Sequence, residues 1–326
     1  MVADKNAECF EIIKKADTIA LAGHIDPDGD AVSACCAAAL FIKGLGKTPL
    51  LLFDAIPQRY EIIPGRELLF TGGLSGVSPD LFIAFDCGDK NRIGFGAELF
   101  DRAALTMNID HHVSNPGFAD FNHIESGASS TCEVLFGVID LAGGLTKEIA
   151  SAIYAGIVFD TSAFRNDATG VNTHVITSRL LEFGIPYTQI YDEIVKTHSR
   201  EEMFGLKLAI ENSVVLPAPG RGGEASLIYS VITTGDMERA GITRKDFEGA
   251  VNYLLSLRGA VLAIFIYQAG PDDFKISFRS KDANVSLAAK SLGGGGHERA
   301  AACRVSGDKD AARDMALRAA FEALGE

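Results

Sequence analysis

The chain has 326 residues, with 30 Lys and Arg against 43 Asp and Glu and a formal net charge of −13. That length suits about two domains, and a 47% hydrophobic content is enough to give each a buried core. The acidic balance argues against a protein that grips long duplex DNA through many phosphates, and no run approaches the roughly 18 apolar residues of a membrane span.

The opening residues MVADKNAECF lack a basic patch followed by an apolar stretch, so no signal peptide is expected. The cysteines Cys9, Cys35, Cys36, Cys87, Cys132 and Cys303 include no C-x-x-C pair. That excludes a zinc ribbon or a redox motif and predicts ordinary thiols in a reducing cytoplasm.

In chain order, residues 1–190 alternate strands and helices. Short apolar runs predict strands at Thr18–Gly23, Pro49–Asp54, Asp80–Asp86 and Leu105–Asp110, as expected of parallel strands buried on both faces. A helix of small and apolar residues is expected over Ala31–Lys43, closed by Gly44. Further helices are expected over Ser130–Leu141, Lys147–Val158, Thr173–Phe183 and Tyr187–Ile210. Residues 191–223 then form a helical linker that ends in the turn-rich Pro217-Ala-Pro-Gly-Arg-Gly-Gly223. Residues 224–326 predict a smaller second domain, with strands at Ala225–Ile232, Ala260–Tyr267 and Phe274–Arg279. Its helices are expected at Arg244–Leu257, Val285–Ser291 and Lys309–Leu324. The fold class is α/β, a parallel-sheet domain followed by a smaller α/β domain.

The acids and histidines fall at the carboxyl ends of these strands, where open α/β sheets collect ligands. The first strand runs into His24, Asp26, Asp28 and Asp30, the third into Asp86 and Asp89, and the fourth into Asp110, His111 and His112. A later helix ends in Asp160. Unneutralised carboxylates would repel one another there. Divalent cations remove the conflict, and imidazole plus carboxylate without thiolate suits Mn²⁺ or Mg²⁺. Each residue has a plainer reading. Asp30 could cap a helix, Asp54 and Asp89 could form turns, Asp26 could hold the turn at Pro27, and His111 and His112 could lie on the surface. His123, His174 and His198 match no motif and read as surface or packing residues.

Near the C-terminus, four glycines at 293–296 precede His297. Before a helix start, their backbone N–H groups would face an anion; otherwise they form a flexible loop. Arg279 closes a strand, so its guanidinium could grip a phosphate through two hydrogen bonds. Asn284 could position a nucleotide or cap a helix.

These residues together resemble the DHH phosphoesterase family. His24, Asp28 and Asp30 match its H-x-x-x-D-x-D motif, Asp86 and Asp160 match the second and fourth motifs, and Asp110-His111-His112 is the motif that names it. The segment Gly293 to Ala302 is similar to the G-G-G-H-x-x-A-A signature of the DHH-associated domain, and the likeness covers nearly the whole chain. The resemblance implies an active site in a cleft between two domains and a pair of divalent ions, usually manganese, with magnesium or cobalt as alternatives. It implies that His24, Asp28 and Asp86 hold one ion and that Asp30, Asp86, His111 and Asp160 hold the other. His112 would face the scissile phosphate, and Asp110 would orient a histidine. Arg279, Gly294, Gly295, Gly296, His297, Arg165 and Asn284 would contact substrate. The pattern commonly has glycine where this chain has Ala302, which would narrow the pocket there.

The implied activity is hydrolysis of short oligoribonucleotides and of 3′-phosphoadenosine 5′-phosphate in the cytoplasm, by an enzyme that often forms a homodimer. Related proteins hydrolyse cyclic di-AMP or linear pApA, some of them with membrane and sensory segments. An inorganic pyrophosphatase would carry a different C-terminal domain, and a long-strand exonuclease would be longer. A non-catalytic nucleotide sensor would be expected to lack at least one metal ligand, and all six are present.

Overall fold

The computed structural model describes residues 2–218, 225–247 and 249–325. They form two compact units that divide between Thr197 and His198. Pro219 to Glu224, most of the expected Pro/Gly break, lie outside the described residues.

The first unit runs α1 (Val2–Lys15), β1 (Thr18–Ala22), α2 (Gly29–Gly44), β2 (Thr48–Leu52), β3 (Leu81–Phe85), α3 (Ala97–Phe100), β4 (Leu105–Asp110) and β5 (Phe121–Ile124). It continues with α4 (Thr131–Leu141), α5 (Lys147–Asp160), α6 (Val171–Leu181) and α7 (Tyr187–Tyr191). The five strands form an all-parallel sheet in the order β2-β1-β3-β4-β5. Residues of β1 and β3 alternate between two cores, and β4 adds Met107 and Ile109 to the first of them. Ile19, Leu21, Ile83 and Phe85 face the first, and Ala20, Ala22, Phe82 and Ala84 face the other. Burial on both faces explains why β1 and β3 read as unbroken apolar runs.

All four expected strands are present in this unit, and α1, α3 and β5 are additions. The polar β5, Phe-Asn-His-Ile, carries no strand signal of its own and is recruited by pairing with β4. Helix α2 lies almost wholly inside the unit, which its run of alanines and cysteines allows.

The second unit runs α8 (Arg200–Glu211), β6 (Ser213–Pro217), β7 (Ser226–Ile232), α9 (Thr234–Ala240), α10 (Ala250–Leu255), β8 (Ala260–Gly270), β9 (Asp273–Ser280), α11 (Val285–Ser291), β10 (Gly295–His297), β11 (Ala300–Ser306) and α12 (Lys309–Leu324). Its sheet has the order β10-β11-β9-β8-β7-β6. Only β7 and β8 pair in parallel. In β9, Phe274, Ile276 and Phe278 are buried in the core that includes residues of α11 and α12.

Three expectations are corrected. The helix expected over Tyr187–Ile210 is two helices, because Thr197 is extended and Ser199 starts a new one. Ser199 Oγ accepts from Glu202 N and Ser199 N donates to the Glu202 carboxylate, the reciprocal cap that opens helices. The expected linker is therefore shared out: 191–197 belong with the first unit, and α8 and β6 with the second. The helix expected over Arg244–Leu257 is a short 3₁₀ turn at Arg244–Phe247 followed by α10, with Gly249 left-handed (φ 76°) at the entry to α10. Glu248 lies outside the described residues.

Third, the glycine run follows α11 rather than preceding a helix, and it opens the β10–β11 hairpin. Gly293 takes a left-handed φ of 77° after α11, and Gly294 N donates to Ala289 O. A side chain at Gly294 would meet Ala302 O at 2.2 Å, and one at Gly296 would meet Ala300 O at 2.5 Å. Close backbone approach in the hairpin, rather than a helix start, requires these glycines.

Candidate metal centre

The carboxyl ends of β1, β3 and β4 and the end of α5 carry the acidic motifs, and the fold brings them together. A pocket of about 290 Å³ is lined by His24, Asp28, Asp86, His111, His112 and Asp160 among others. Donor atoms of three triplets each lie within 4.8 Å of one another: His24–Asp28–Asp86, Asp30–His111–Asp160 and Asp86–His111–His112. Asp86 joins the groups, with Oδ2 3.5 Å from His24 Nε2 and Oδ1 3.6 Å from His111 Nε2. His24 Nε2 is also 3.7 Å from Asp28 Oδ1, and His111 Nε2 is 3.4 Å from Asp160 Oδ2. Ligands about 2.1 Å from one octahedral ion stand about 3 Å apart at a right angle, so these spacings are close to a coordination shell.

Local structure sets each side chain. Asp86 has a left-handed φ of 56° while its N–H still donates to Ile109 O. The chain therefore turns off the sheet at its last ladder bond, at a cost of about 1–2 kcal/mol for a non-glycine residue. Thr131 Oγ1 donates to Asp86 Oδ1 at 2.9 Å. Both imidazoles face a carbonyl with Nδ1, His24 toward Ile25 O at 2.9 Å and His111 toward Ala128 O at 3.4 Å. With Nδ1 protonated, Nε2 is the free lone pair that a metal takes.

Asp28 and Asp30 have different parts. Asp28, rather than Asp30, caps α2, accepting from Asp30 N and Ala31 N. Asp30 is fully buried and accepts from Thr131 N at 2.6 Å and Cys132 N at 3.1 Å, at the start of α4. Helix α5 passes so close that a side chain at Gly156 would meet Cys132 Sγ at 2.3 Å and Asp30 Oδ1 at 2.7 Å. That glycine lets α5 deliver Asp160 one turn further on.

Without a cation the acids are under electrostatic load. Burial, and then the charges of Asp86 and Asp160, hold the Asp30 carboxyl well above the usual range. Burial, Asp86 and Asp28 push Asp160 up to about 8. Burial works to lower the His24 pKa, but hydrogen bonds to Asp28 and Asp86 outweigh it and raise it to about 10. Protons thus take the place that positive metal charge would fill. The donor set, the inward-facing Nε2 atoms and this excess of buried negative charge fit a pair of divalent ions.

His112 and Asp110 form a second arrangement beside it. Asp110 is fully buried, and its Oδ1 lies 2.7 Å from His112 Nδ1. Its Oδ2 accepts from Asn115 Nδ2, which also reaches Asn108 Oδ1 at 2.7 Å and Cys87 O at 3.1 Å. The Asp110 hydrogen bond raises the His112 pKa to about 9.

Of the remaining expected site residues, Arg165 is exposed and lies outside the pocket lining. It follows Ser162, Ala163 and Phe164, three consecutive non-glycine residues with positive φ. In the second unit, His297 pairs with Ala300 and Ala300 with Arg279. Arg279 and His297 therefore share one row and one face of the sheet, about 10 Å apart across two strand spacings, with only the Ala300 methyl between them. Gly295, Ala302 and Ser277 form the neighbouring row. Burial lowers the Arg279 pKa, and the guanidinium has a hydrogen bond to Phe278 O but no ion pair among the described residues. Asn284 caps α11, its Oδ1 accepting from Ser286 N and Ser286 Oγ. His123 is buried against Asn6, His174 packs against Phe164, and His198 is exposed. All six cysteines are free and buried.

Asn108, Asn115 and Thr131 support the site but were absent from the sequence reading. They belong to no acidic strand-end motif, and only the fold brings them to Asp110 and Asp86.

Such a parallel sheet, with a carboxylate–imidazole cluster at its strand ends, defines an α/β protein with a candidate divalent-metal site. The model of the DHH family N-terminal domain matches residues 18–157, and that of the DHHA1 domain matches residues 224–326. The chain belongs to the DHH family of phosphoesterases. It is similar to a Thermus thermophilus protein named bifunctional oligoribonuclease and PAP phosphatase NrnA, 28% identical over 96% of this chain and 93% of the relative. A Bacillus subtilis protein of the same name is 24% identical over 95% of this chain and 96% of the relative. Among solved structures, an exopolyphosphatase-related protein from Bacteroides fragilis has the same fold, with a TM-score of 0.86 and 24% identity over 98% of this chain and 96% of that one. Among the described residues, no helix is long and apolar enough to cross a membrane.

Proposed function

We propose that the protein hydrolyses short oligoribonucleotides and 3′-phosphoadenosine 5′-phosphate with the help of two manganese ions. The observation that carries this reading is Asp86, whose Oδ2 faces the His24 imidazole while its Oδ1 faces that of His111 and, at 3.7 Å, His112 Nδ1. His24, Asp28 and Asp86 would hold one ion, and Asp30, Asp86, His111 and Asp160 the other. A pair of such ions lowers the pKa of water and polarises a phosphoryl oxygen. The all-oxygen-and-nitrogen donor set favours manganese or magnesium over softer ions.

The chain's own residues supply the rest. Asp110 holds His112 by Nδ1, which leaves Nε2 to stabilise charge on the phosphate or to protonate the leaving oxygen. Asn115 keeps Asp110 in one orientation. In the second unit, Arg279, His297 and the backbone of Gly294, Gly295 and Gly296 are read as substrate contacts. Ala302 stands on that same face, where its methyl narrows the surface beside Gly295. Such contacts favour substrates of a few nucleotides, consistent with the acidic whole. Six buried, unpaired thiols favour a reducing, cytoplasmic setting.

The test is a substrate panel with manganese-reconstituted protein: dinucleotides to pentanucleotides, a nucleoside 3′,5′-bisphosphate, and cyclic and linear di-adenylate. The expected result is turnover of the short linear RNAs and the bisphosphate. No turnover of either defeats the proposal, and a higher kcat/KM on cyclic di-adenylate reassigns the substrate. Arg279→Ala is expected to raise KM more than it lowers kcat, and an unchanged KM removes Arg279 from the site.

A further inference from the structure

Four carboxylates line the metal pocket, and a phosphate entering it meets one permanent cation among the lining residues, Arg92. The residue is held at the backbone. Arg92 O accepts from Ile25 N at 2.7 Å, Arg92 N donates to Asp89 O at 3.0 Å, and the next residue, Ile93, forms a bridge with His24. The base of the side chain is thus fixed relative to an imidazole of the cluster. Its guanidinium is uncommitted, with no ion pair among the described residues. Nearby Lys90, by contrast, is bound to Asp101. Asp89 is the one lining carboxylate outside the three ligand triplets, and its Oδ1 accepts from the Asn91 N–H and side chain instead.

We propose that Arg92 grips the phosphate undergoing cleavage, as the anion-binding and charge-stabilising residue on the metal side of the site. The inference rests on the phosphoesterase reading above. Once the metal ligands are neutralised, an unpaired guanidinium on the same wall has no stronger acceptor than phosphoryl oxygens, whose spacing matches its planar fork. Negative charge accumulates on those oxygens during transfer, so such a contact strengthens as the reaction proceeds. The position is distinct from Arg279, which belongs to the second unit.

Arg92→Gln and Arg92→Lys are compared with the parent protein after manganese reconstitution. Arg92→Gln is expected to lower kcat/KM about a hundredfold, the scale of one lost transition-state donor. It should also weaken binding of inorganic phosphate to the manganese-loaded protein about tenfold. Arg92→Lys is expected to recover part of both losses, because it keeps the charge without the fork. Manganese affinity should match the parent in both variants. Phosphate binding followed by calorimetry needs no turnover, so it judges Arg92 even if no nucleotide in the panel is hydrolysed. Unchanged phosphate affinity in Arg92→Gln overturns the proposal, as does a loss of manganese binding that accounts for the loss of phosphate binding.

Discussion

Asp110 Oδ1 stands 2.7 Å from His112 Nδ1, with the carboxylate fully buried and the imidazole half-exposed toward the pocket. The contact fixes the tautomer and direction of the ring, and it favours the imidazolium. Asp110→Asn keeps the shape but removes the charge. It is expected to lower kcat by about 10²–10⁴ with manganese content unchanged. The sign of the pH effect follows from the shift. The His112 pKa is raised to about 9 by Asp110, so the imidazolium is present below that pH and lost above it. In Asp110→Asn the alkaline limb of the rate profile should move toward lower pH. A superimposable profile would remove His112 from proton transfer.

Metal binding should release protons. In the metal-free protein, burial and the neighbouring acids Asp86 and Asp28 raise Asp160 to about 8, so it is protonated at neutral pH, and a metal requires it ionised. Manganese affinity is therefore expected to rise between pH 6 and pH 8. Calorimetry in buffers of different ionisation enthalpy should detect proton release. Asp86→Ala is expected to abolish manganese-dependent thermal stabilisation, because both groups of ligands use that carboxylate. A retained Tm shift would show that Asp86 holds no ion.

Gly156 is a packing requirement of the site. Gly156→Ala places a methyl 2.3 Å from Cys132 Sγ and 2.7 Å from Asp30 Oδ1, and overpacking of this kind costs about 1–3 kcal/mol. Lower stability in denaturant titration and weaker manganese binding should appear together, because the same helix carries Asp160. Normal metal affinity would show that α5 can shift without moving its end.

Ser162 holds a left-handed φ of 50° and is exposed. Relief of that conformation is worth about 1 kcal/mol or more, partly offset by the extra entropy of glycine in the unfolded chain. Ser162→Gly is expected to stabilise the first unit by about 0.5–1 kcal/mol, read from its denaturation midpoint. A destabilised variant would mean that the Ser162 side chain makes a favourable contact.

The parallel strands β1 and β3 were legible because each is apolar on both faces, and a composition of that kind does not depend on what lies nearby. The hairpin of β10 and β11 was not. Its glycines satisfy a tight backbone approach between Gly294 and Ala302, a contact invisible along the chain. The Tyr187–Ile210 helix was read through its break because Thr197 carries no proline or glycine to mark it. The Ser199–Glu202 cap was present in the sequence as a start signal.

The sequence by itself determined which side chains stand at the strand ends, because strand and helix periodicity places His24, Asp86, His111 and Asp160 there whatever surrounds them. Tertiary structure decided how they divide their work. It put Asp28 on the α2 cap and Asp30 on the α4 amides, brought Asn115 to Asp110, and left Arg92 without an acid partner among the described residues. Hydrogen-bond partners and charge neutralisation depend on distances between remote segments, and those distances exist only once the sheet has formed.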